Sequence, residues 1–281
     1  MKIISKPVKM QNIVRALKTK GNTIGIVPTM GALHNGHLSL IKRAGRQNDI
    51  VIVSIFVNPA QFGPKEDFSQ YPRPFGKDAA LCRAAGVDII FVPQPRDMYP
   101  DNYLTYINVE RITDFMCGRC RPGHFRGVAT VVGKLFNIIM PDSAYFGLKD
   151  YQQSVVIKKM AVDLNFPVKI VACPIVREKD GLALSSRNIY LAPAERKKAL
   201  SLYISLQNAK NLIEYKNTVS VKKLVSEIKK DLSGNAAKID YIDIRDADTL
   251  EELKIINKKR KTVIAIAAFF GSTRLIDNII V

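Results

Sequence analysis

Two of the three histidines in the chain stand three residues apart, in His34-Asn35-Gly36-His37. They follow a short apolar stretch, Thr23 to Val27, and a Pro28-Thr29-Met30-Gly31 loop, and they open a segment with helical spacing from Leu38 onward. Histidines at that spacing on a first helical turn project to one side. A helix N-terminus also presents backbone N–H groups and the positive end of its dipole, which together make a phosphate site. Gly31 and Gly36 remove side-chain bulk where phosphate oxygens would approach the backbone. Two surface histidines or a metal-binding pair are the alternatives. A zinc site needs further ligands, and no third one stands nearby. The chemistry favoured is therefore nucleotide transfer at the mouth of a helix.

The elements that must position this segment alternate. Asp49 to Val57 is a β-branched run suited to a central parallel strand covered on both faces. Phe75 to Ala85 reads as a helix ending near Gly86, and Ile89 to Val92 as a strand. Gly127 to Met140 carries one apolar stripe, Val128, Val131, Val132, Leu135, Phe136 and Ile139, and Pro141 stops it. Ala144 to Phe146 reads as a strand, Asp150 to Leu164 as a helix and Val168 to Ala172 as a strand. Such alternation predicts an α/β fold with a Rossmann-like, doubly wound parallel sheet, which places the histidines at the C-terminal end of a strand, where open sheets bind ligands. Beyond about residue 178 the pattern changes to two helices, Pro193 to Ile213 and Val219 to Leu232, then strands at Lys238 to Ile244, Thr262 to Phe269 and Arg274 to Val281. The expected division is a first domain over 1–177 that binds nucleotide and acid substrate, and a smaller C-terminal α+β domain over 178–281 that closes over the site.

Composition narrows the class. A chain of 281 residues with 47% hydrophobic content can bury a sizeable core. The apolar run Val263 to Phe270 is too short to span a bilayer, and the N-terminal region has no apolar signal core, so the cytoplasm is the compartment expected. Cys117 and Cys120 form a CxxC in a Gly/Arg loop, while Cys82 and Cys173 stand alone, which favours coincidence over a zinc or redox pair. The net charge of +18 raises nucleic-acid binding. The clusters Lys222-Lys223, Lys229-Lys230 and 258–261 have no interleaved aromatics, however, so they read as solvated faces.

Further segments accompany the histidines in order: Phe56-Val57-Asn58-Pro59-Ala60-Gln61-Phe62, Arg121-Pro122-Gly123-His124-Phe125-Arg126-Gly127, Phe146-Gly147-Leu148-Lys149-Asp150-Tyr151-Gln152-Gln153, Asp180-Gly181-Leu182-Ala183-Leu184-Ser185-Ser186-Arg187-Asn188 and Gly271-Ser272-Thr273-Arg274-Leu275-Ile276-Asp277-Asn278. The His-x-Gly-His segment matches the signature of the nucleotidyltransferase superfamily. The whole set, spread over essentially the full chain, resembles the pantothenate synthetase (pantoate–β-alanine ligase) family. That resemblance implies an AMP-forming ligase in which ATP and pantoate give pantoyl adenylate and pyrophosphate, after which β-alanine displaces AMP.

It also implies roles for matched positions. His34, His37 and Lys149 would be catalytic. Met30, Gly31, His34, Gly36, His37, Gly147, Leu148, Lys149, Asp150, Val176, Leu184, Ser185, Ser186 and Arg187 would bind ATP. Gln61 and Gln153 would bind pantoate, and Gln61 and Asn58 would bind β-alanine. Side-chain amides both donate and accept, as pantoate hydroxyls require. Lys149 is a compact charge for phosphates, and Arg187 a planar fork for them. Taken singly, bland roles compete: Gln61 as a turn residue, Gln153 on a polar helix face, Asn58 as a turn opener, Asp150, His124 and Arg126 as caps. Leu148 departs from the polar residue expected there, and Leu184 stands where the family often has Met, a volume-conserving exchange. Magnesium is expected on the ATP phosphates with no protein ligand named. The partners expected are small molecules and a second copy of the chain in a homodimer, with no nucleic acid and no membrane. The competing classes are a nucleotidyltransferase with a dinucleotide product, which would not need the glutamines, and an RNA binder, which would want stacking aromatics.

Overall fold

Ile50–Ile55, the core of the β-branched run, lies inside a six-stranded parallel sheet. The structure is a computed structural model and describes residues 1–64, 66–257 and 259–281. In chain order the sheet and its helices are β1 (Lys2–Ile4), α1 (Pro7–Thr19), β2 (Ile24–Thr29), α2 (Asn35–Gly45), β3 (Ile50–Ile55), α3 (Phe75–Ala84), β4 (Ile89–Phe91), the single turn α4 (Pro95–Met98), a short α5 (Met116–Cys120), α6 (His124–Ile139), β5 (Ser143–Gly147), α7 (Tyr151–Asp163) and β6 (Lys169–Cys173). The strand order β1-β4-β3-β2-β5-β6 is doubly wound: the chain steps outward from β2 to β4, then returns to β5 beside β2. Between β2 and β5 the direction of winding reverses, and the loops leaving their C-terminal ends open a crevice. The residues before Thr23, unassigned in the sequence reading, supply β1, paired with β4, and α1, which Pro7 starts and which buries Met10 and Val14.

Burial follows the sequence pattern. Val27, Val53, Ile90 and Tyr145 form a core on one face of the sheet with Leu40, Ile41 and Ala44 of α2. The stripe on α6 is buried, and Met140 ends that helix at φ +43° before Pro141. Removing a large apolar side chain from such a core costs about 2–5 kcal/mol.

The chain divides into two units, but not at one position. The first comprises Met1–Glu110, Arg121–Leu148 and Gln153–Pro174, and the second Arg111–Cys120, Lys149–Gln152 and Ile175–Val281. A single boundary after residue 177 misses the two excursions. Their membership has a physical basis. The Gln152 amide accepts from Cys117 N–H at 3.0 Å and donates to the carbonyls of Ile112 and Phe115 at 2.9 and 2.8 Å. Arg245 lies 3.9 Å over the Phe115 ring.

The rest of the second unit is α8 (Pro193–Lys216), β7 (Thr218–Ser220), α9 (Val221–Leu232), β8 (Lys238–Asp246), β9 (Ile255–Asn257), β10 (Thr262–Phe270) and β11 (Thr273–Ile280). The antiparallel sheet β11-β10-β8 buries Ile264, Ile266 and Leu275 with Leu202 and Leu206 of α8 and Leu224 and Ile228 of α9. The three-residue strands β7 and β9 are too short to show a period in the sequence and were not expected.

Cys117 and Cys120 sit on α5, not in a loop, and neither is in a disulfide. Burial and then Asp240 push the Cys120 thiol above its ordinary value, the reverse of what a reactive thiolate needs. Lys222, Lys223, Lys229 and Lys230 are exposed on α9. In the run 258–261, Lys258 lies outside the described residues. Among the described residues no helix is long and apolar enough to cross a membrane.

Candidate functional site at the crevice beside β2

His34 and His37 meet as two halves of one helix cap. His34 is the N-cap of α2, with extended backbone, and its Nδ1 accepts from Gly36 N–H at 3.1 Å. His37, in the first turn, accepts from His34 N–H through its own Nδ1 at 3.3 Å. The ring centroids are 4.1 Å apart. A neutral imidazole that accepts at one nitrogen carries its proton on the other, so this cap sets both rings with Nε2–H as the donor. No acidic side chain stands in the first turn of α2 to compete with an anion for the helix dipole. Two N–H donors and a helix N-terminus stand together at the end of β2, the kind of groups that attract phosphate oxygens.

The loop that delivers them is held from beneath by a residue the sequence reading missed. Asp78 of α3, 1% exposed, accepts from Ala32 N–H at 2.9 Å and Leu33 N–H at 2.8 Å. Gly31, at φ +84°, passes so close that a Cβ there would lie 3.0 Å from the Asp78 carboxylate, and Ala32 takes φ +50°. In the sequence Asp78 reads as an ordinary first-turn acid serving its own helix, and nothing local marks a reach of 45 positions. Asp78→Asn should leave one of the two N–H groups facing an amide N–H₂. We expect a stability loss of about 1–3 kcal/mol, the scale of a buried donor left unpaired, and slower turnover, read by thermal melts and steady-state rates. Unchanged values in both would remove Asp78 from this role.

Gln61, 9% exposed, ends a 3-10 turn capped by Asn58. The Asn58 amide donates to Gln61 Oε1 at 3.0 Å and to Gly127 O at 3.1 Å, and its oxygen accepts from Ala60 N–H. Gln61 Nε2 donates to Met30 Sδ at 3.0 Å, which joins this turn to the loop after β2. The Gln61 carbonyl is held by His124 Nδ1 at 2.8 Å and Arg121 at 3.3 Å, and Arg121 also pairs with Glu66. Burial acts to raise the Glu66 carboxyl, but the Arg121 guanidinium outweighs it and holds the group below its usual value. His124 and Arg121 therefore brace the glutamine turn. Of the roles anticipated for Asn58 the structure shows that of turn opener, and the same side chain also fixes Gln61.

Gly147 ends β5, and Leu148 follows it in a 3-10 turn, so both lie at the other lip of the crevice. Gln153 is half-buried near the start of α7. The remaining expected residues belong to the second unit. There the Lys149 side chain is 20% exposed, with Nζ 3.9 Å from the more exposed Asp150 carboxylate. Val176 O accepts from Leu184 N–H at 3.0 Å, closing a hairpin that turns at Gly181. Ser185 leaves that hairpin and caps the next turn by accepting from Arg187 N–H at 3.2 Å, with Ser186 and Arg187 half-buried. Among the described residues no group of three or more His, Cys, Asp or Glu side chains could hold a metal ion.

Comparison with known proteins bears on this arrangement. Residues 2–280 match the family model described as Pantoate-beta-alanine ligase. The pantothenate synthetase of Acetivibrio thermocellus is 53% identical over 281 residues, covering 100% of this chain and 99% of its own. The crystal structure of pantothenate synthetase from Thermus thermophilus superposes with a TM-score of 0.92 at 43% identity, covering 99% of both chains. That of the Francisella tularensis pantoate-beta-alanine ligase, complexed with beta-gamma ATP and beta-alanine, has a TM-score of 0.82 at 38% identity, covering 99% of this chain and 97% of its own. With its doubly wound sheet, its capped histidine pair and a match that runs from end to end, the chain belongs to the pantoate–β-alanine ligase family of ligases.

Proposed function

We propose that this ligase uses ATP to join pantoate to β-alanine, by way of a pantoyl adenylate, with release of pyrophosphate and then AMP. The observation that carries the reading is the reciprocal cap of His34 and His37 through Nδ1, which puts the N–H of both rings on Nε2 at a helix N-terminus beside the sheet's switch point. In the first step a pantoate carboxylate oxygen attacks the α-phosphorus, the bond to the bridging oxygen breaks, and charge grows on the departing pyrophosphate. Catalysis of that kind is mostly positioning and charge stabilisation. His34 and His37 stabilise that charge, and Lys149 supplies a full positive one. Met30, Gly31, Gly36, Gly147 and Leu148 offer backbone to the nucleotide, Val176 adjoins it, and the Leu184 side chain packs against the adenine. Ser185, Ser186 and Arg187 bind phosphate oxygens, and Asp150 accepts from the ribose.

Gln61 and Gln153 orient the pantoate hydroxyls. In the second step the β-alanine nitrogen attacks the acyl carbon, AMP leaves with the bonding pair, and the amine loses a proton. Gln61 faces this substrate too, with Asn58 acting chiefly by fixing it. Magnesium is proposed to arrive on the nucleotide's phosphates, and no step is assigned to it. A cytoplasmic homodimer, its smaller domain closing over the site in each turnover, completes the reading.

The experiment is isotope exchange of pyrophosphate into ATP. It should require pantoate and proceed without β-alanine. Exchange that needs β-alanine, or that is driven instead by an amino acid with tRNA or by a mononucleotide acceptor, overturns the assignment.

A further inference from the structure

The last strand of the chain carries two buried polar residues, Asp277 and Asn278, 1% and 4% exposed. Side chains of consecutive strand residues leave on opposite faces, and here each reaches a different segment. The Asn278 amide donates to the carbonyl of Lys149 at 2.9 Å. The Asp277 carboxylate takes a two-pronged ion pair from Arg177, at 2.6 and 2.9 Å. Arg177 also donates to Gly181 O at 3.0 Å and lies 4.7 Å over the Tyr203 ring, so it fastens the hairpin from which Ser185, Ser186 and Arg187 emerge. Asp277 and Asn278 are themselves fixed by pairing with Ile266 and Ala265 of the buried strand β10.

We propose that Asp277 and Asn278 are positioning residues that set the spacing between two phosphate-handling segments, Asn278 through the main chain of Lys149 and Asp277 through Arg177. This rests on the reading above that Lys149 and Ser185–Arg187 bind the triphosphate. Two features favour positioning over general stability. A buried ion pair contributes little that apolar residues of the same volume would not. A side chain that holds Lys149 by its carbonyl fixes the Cα while leaving the ammonium to another partner. Groups mounted on rigid strands hold geometry more closely than groups on loops, and misplacement by about 1 Å can cost about a hundredfold in rate.

The test is a double-mutant cycle on pyrophosphate exchange and on overall turnover. Asn278→Ala should lower kcat/KM for ATP by about tenfold, leave the KM for β-alanine within about twofold, and lose most of its effect when Lys149 is already alanine, as coupled residues do. Asn278→Ser removes the same long donor and is read identically should the alanine variant melt below the assay temperature. Asp277→Asn with Ser186→Ala forms the matching cycle for the hairpin. Equal losses in both backgrounds of either cycle overturn positioning and assign that residue to stability alone. Lys149→Ala by itself separates the underlying reading: undiminished exchange in that variant removes Lys149 from the phosphates, and the Asn278 proposal falls with it.

Discussion

His37→Ala is expected to slow pantoate-dependent pyrophosphate exchange by about a hundredfold or more, the scale of a lost donor at a centre of developing charge. His34→Ala should do the same, but either substitution also breaks the cap of α2, and a lost N-cap costs about 0.5–2 kcal/mol of stability. Asparagine separates the two effects at position 34. Its side-chain oxygen caps helices as well as any residue, yet with that oxygen in the place of Nδ1 toward Gly36 N–H its N–H₂ donor ends one bond short of where Nε2–H reaches. His34→Asn should therefore melt close to the parent chain while keeping the deficit in exchange. If its exchange recovers with its stability, His34 is a cap and no more, and the chemical contribution belongs to His37 alone.

Gly127→Ala is expected to be nearly as damaging, although residue 127 bears no reactive group. A Cβ there would sit 2.2 Å from Ala60 O and 2.6 Å from Gln61 N, and backbone cannot rotate away as a flexible side chain can. The clash drives the turn containing Asn58 and Gln61 away from α6 and strips Asn58 of its contact with Gly127 O. Overpacking of this kind costs roughly 1–3 kcal/mol. We expect a lower melting temperature and a raised KM for pantoate, with the KM for ATP moved much less. A change confined to melting temperature would mean that Gln61 does not orient pantoate.

The contrast between these two sites shows what could be read in advance. The histidine pair was legible because its spacing, its loop glycine and the helix behind it are neighbours in sequence, and the parallel sheet was legible because runs such as Ile50–Ile55 declare burial on both faces. The bracing of the site was not. Asp78, Asn58 and Gly127 act across separations of 45 and 69 positions, and each has an adequate local explanation that hides the distant one. Asp78 looks like a helix-dipole acid, Asn58 like a turn opener and Gly127 like the first residue of a helix. The boundary of the second unit was misplaced for the same reason. Residues 111–120 and 149–152 join it through Gln152 and Phe115, and pairings between side chains so far apart leave no period in the chain.

The same interleaving has a consequence for how the chain is made. Arg119 pairs with Asp243, 124 residues further on, and Arg245 covers the Phe115 ring. On the ribosome, at about 5–20 residues per second, the segment around α5 leaves the tunnel roughly 6–25 s before the strand that receives it. The nascent chain must carry that stretch, with the Phe115 ring, without Arg245 over it until β8 has been made. An excised fragment beginning at residue 175 would meet the mirror-image difficulty, since β8 would be made with its occupant missing. The second unit is thus finished late and as a whole, by residues translated at both ends of the interval.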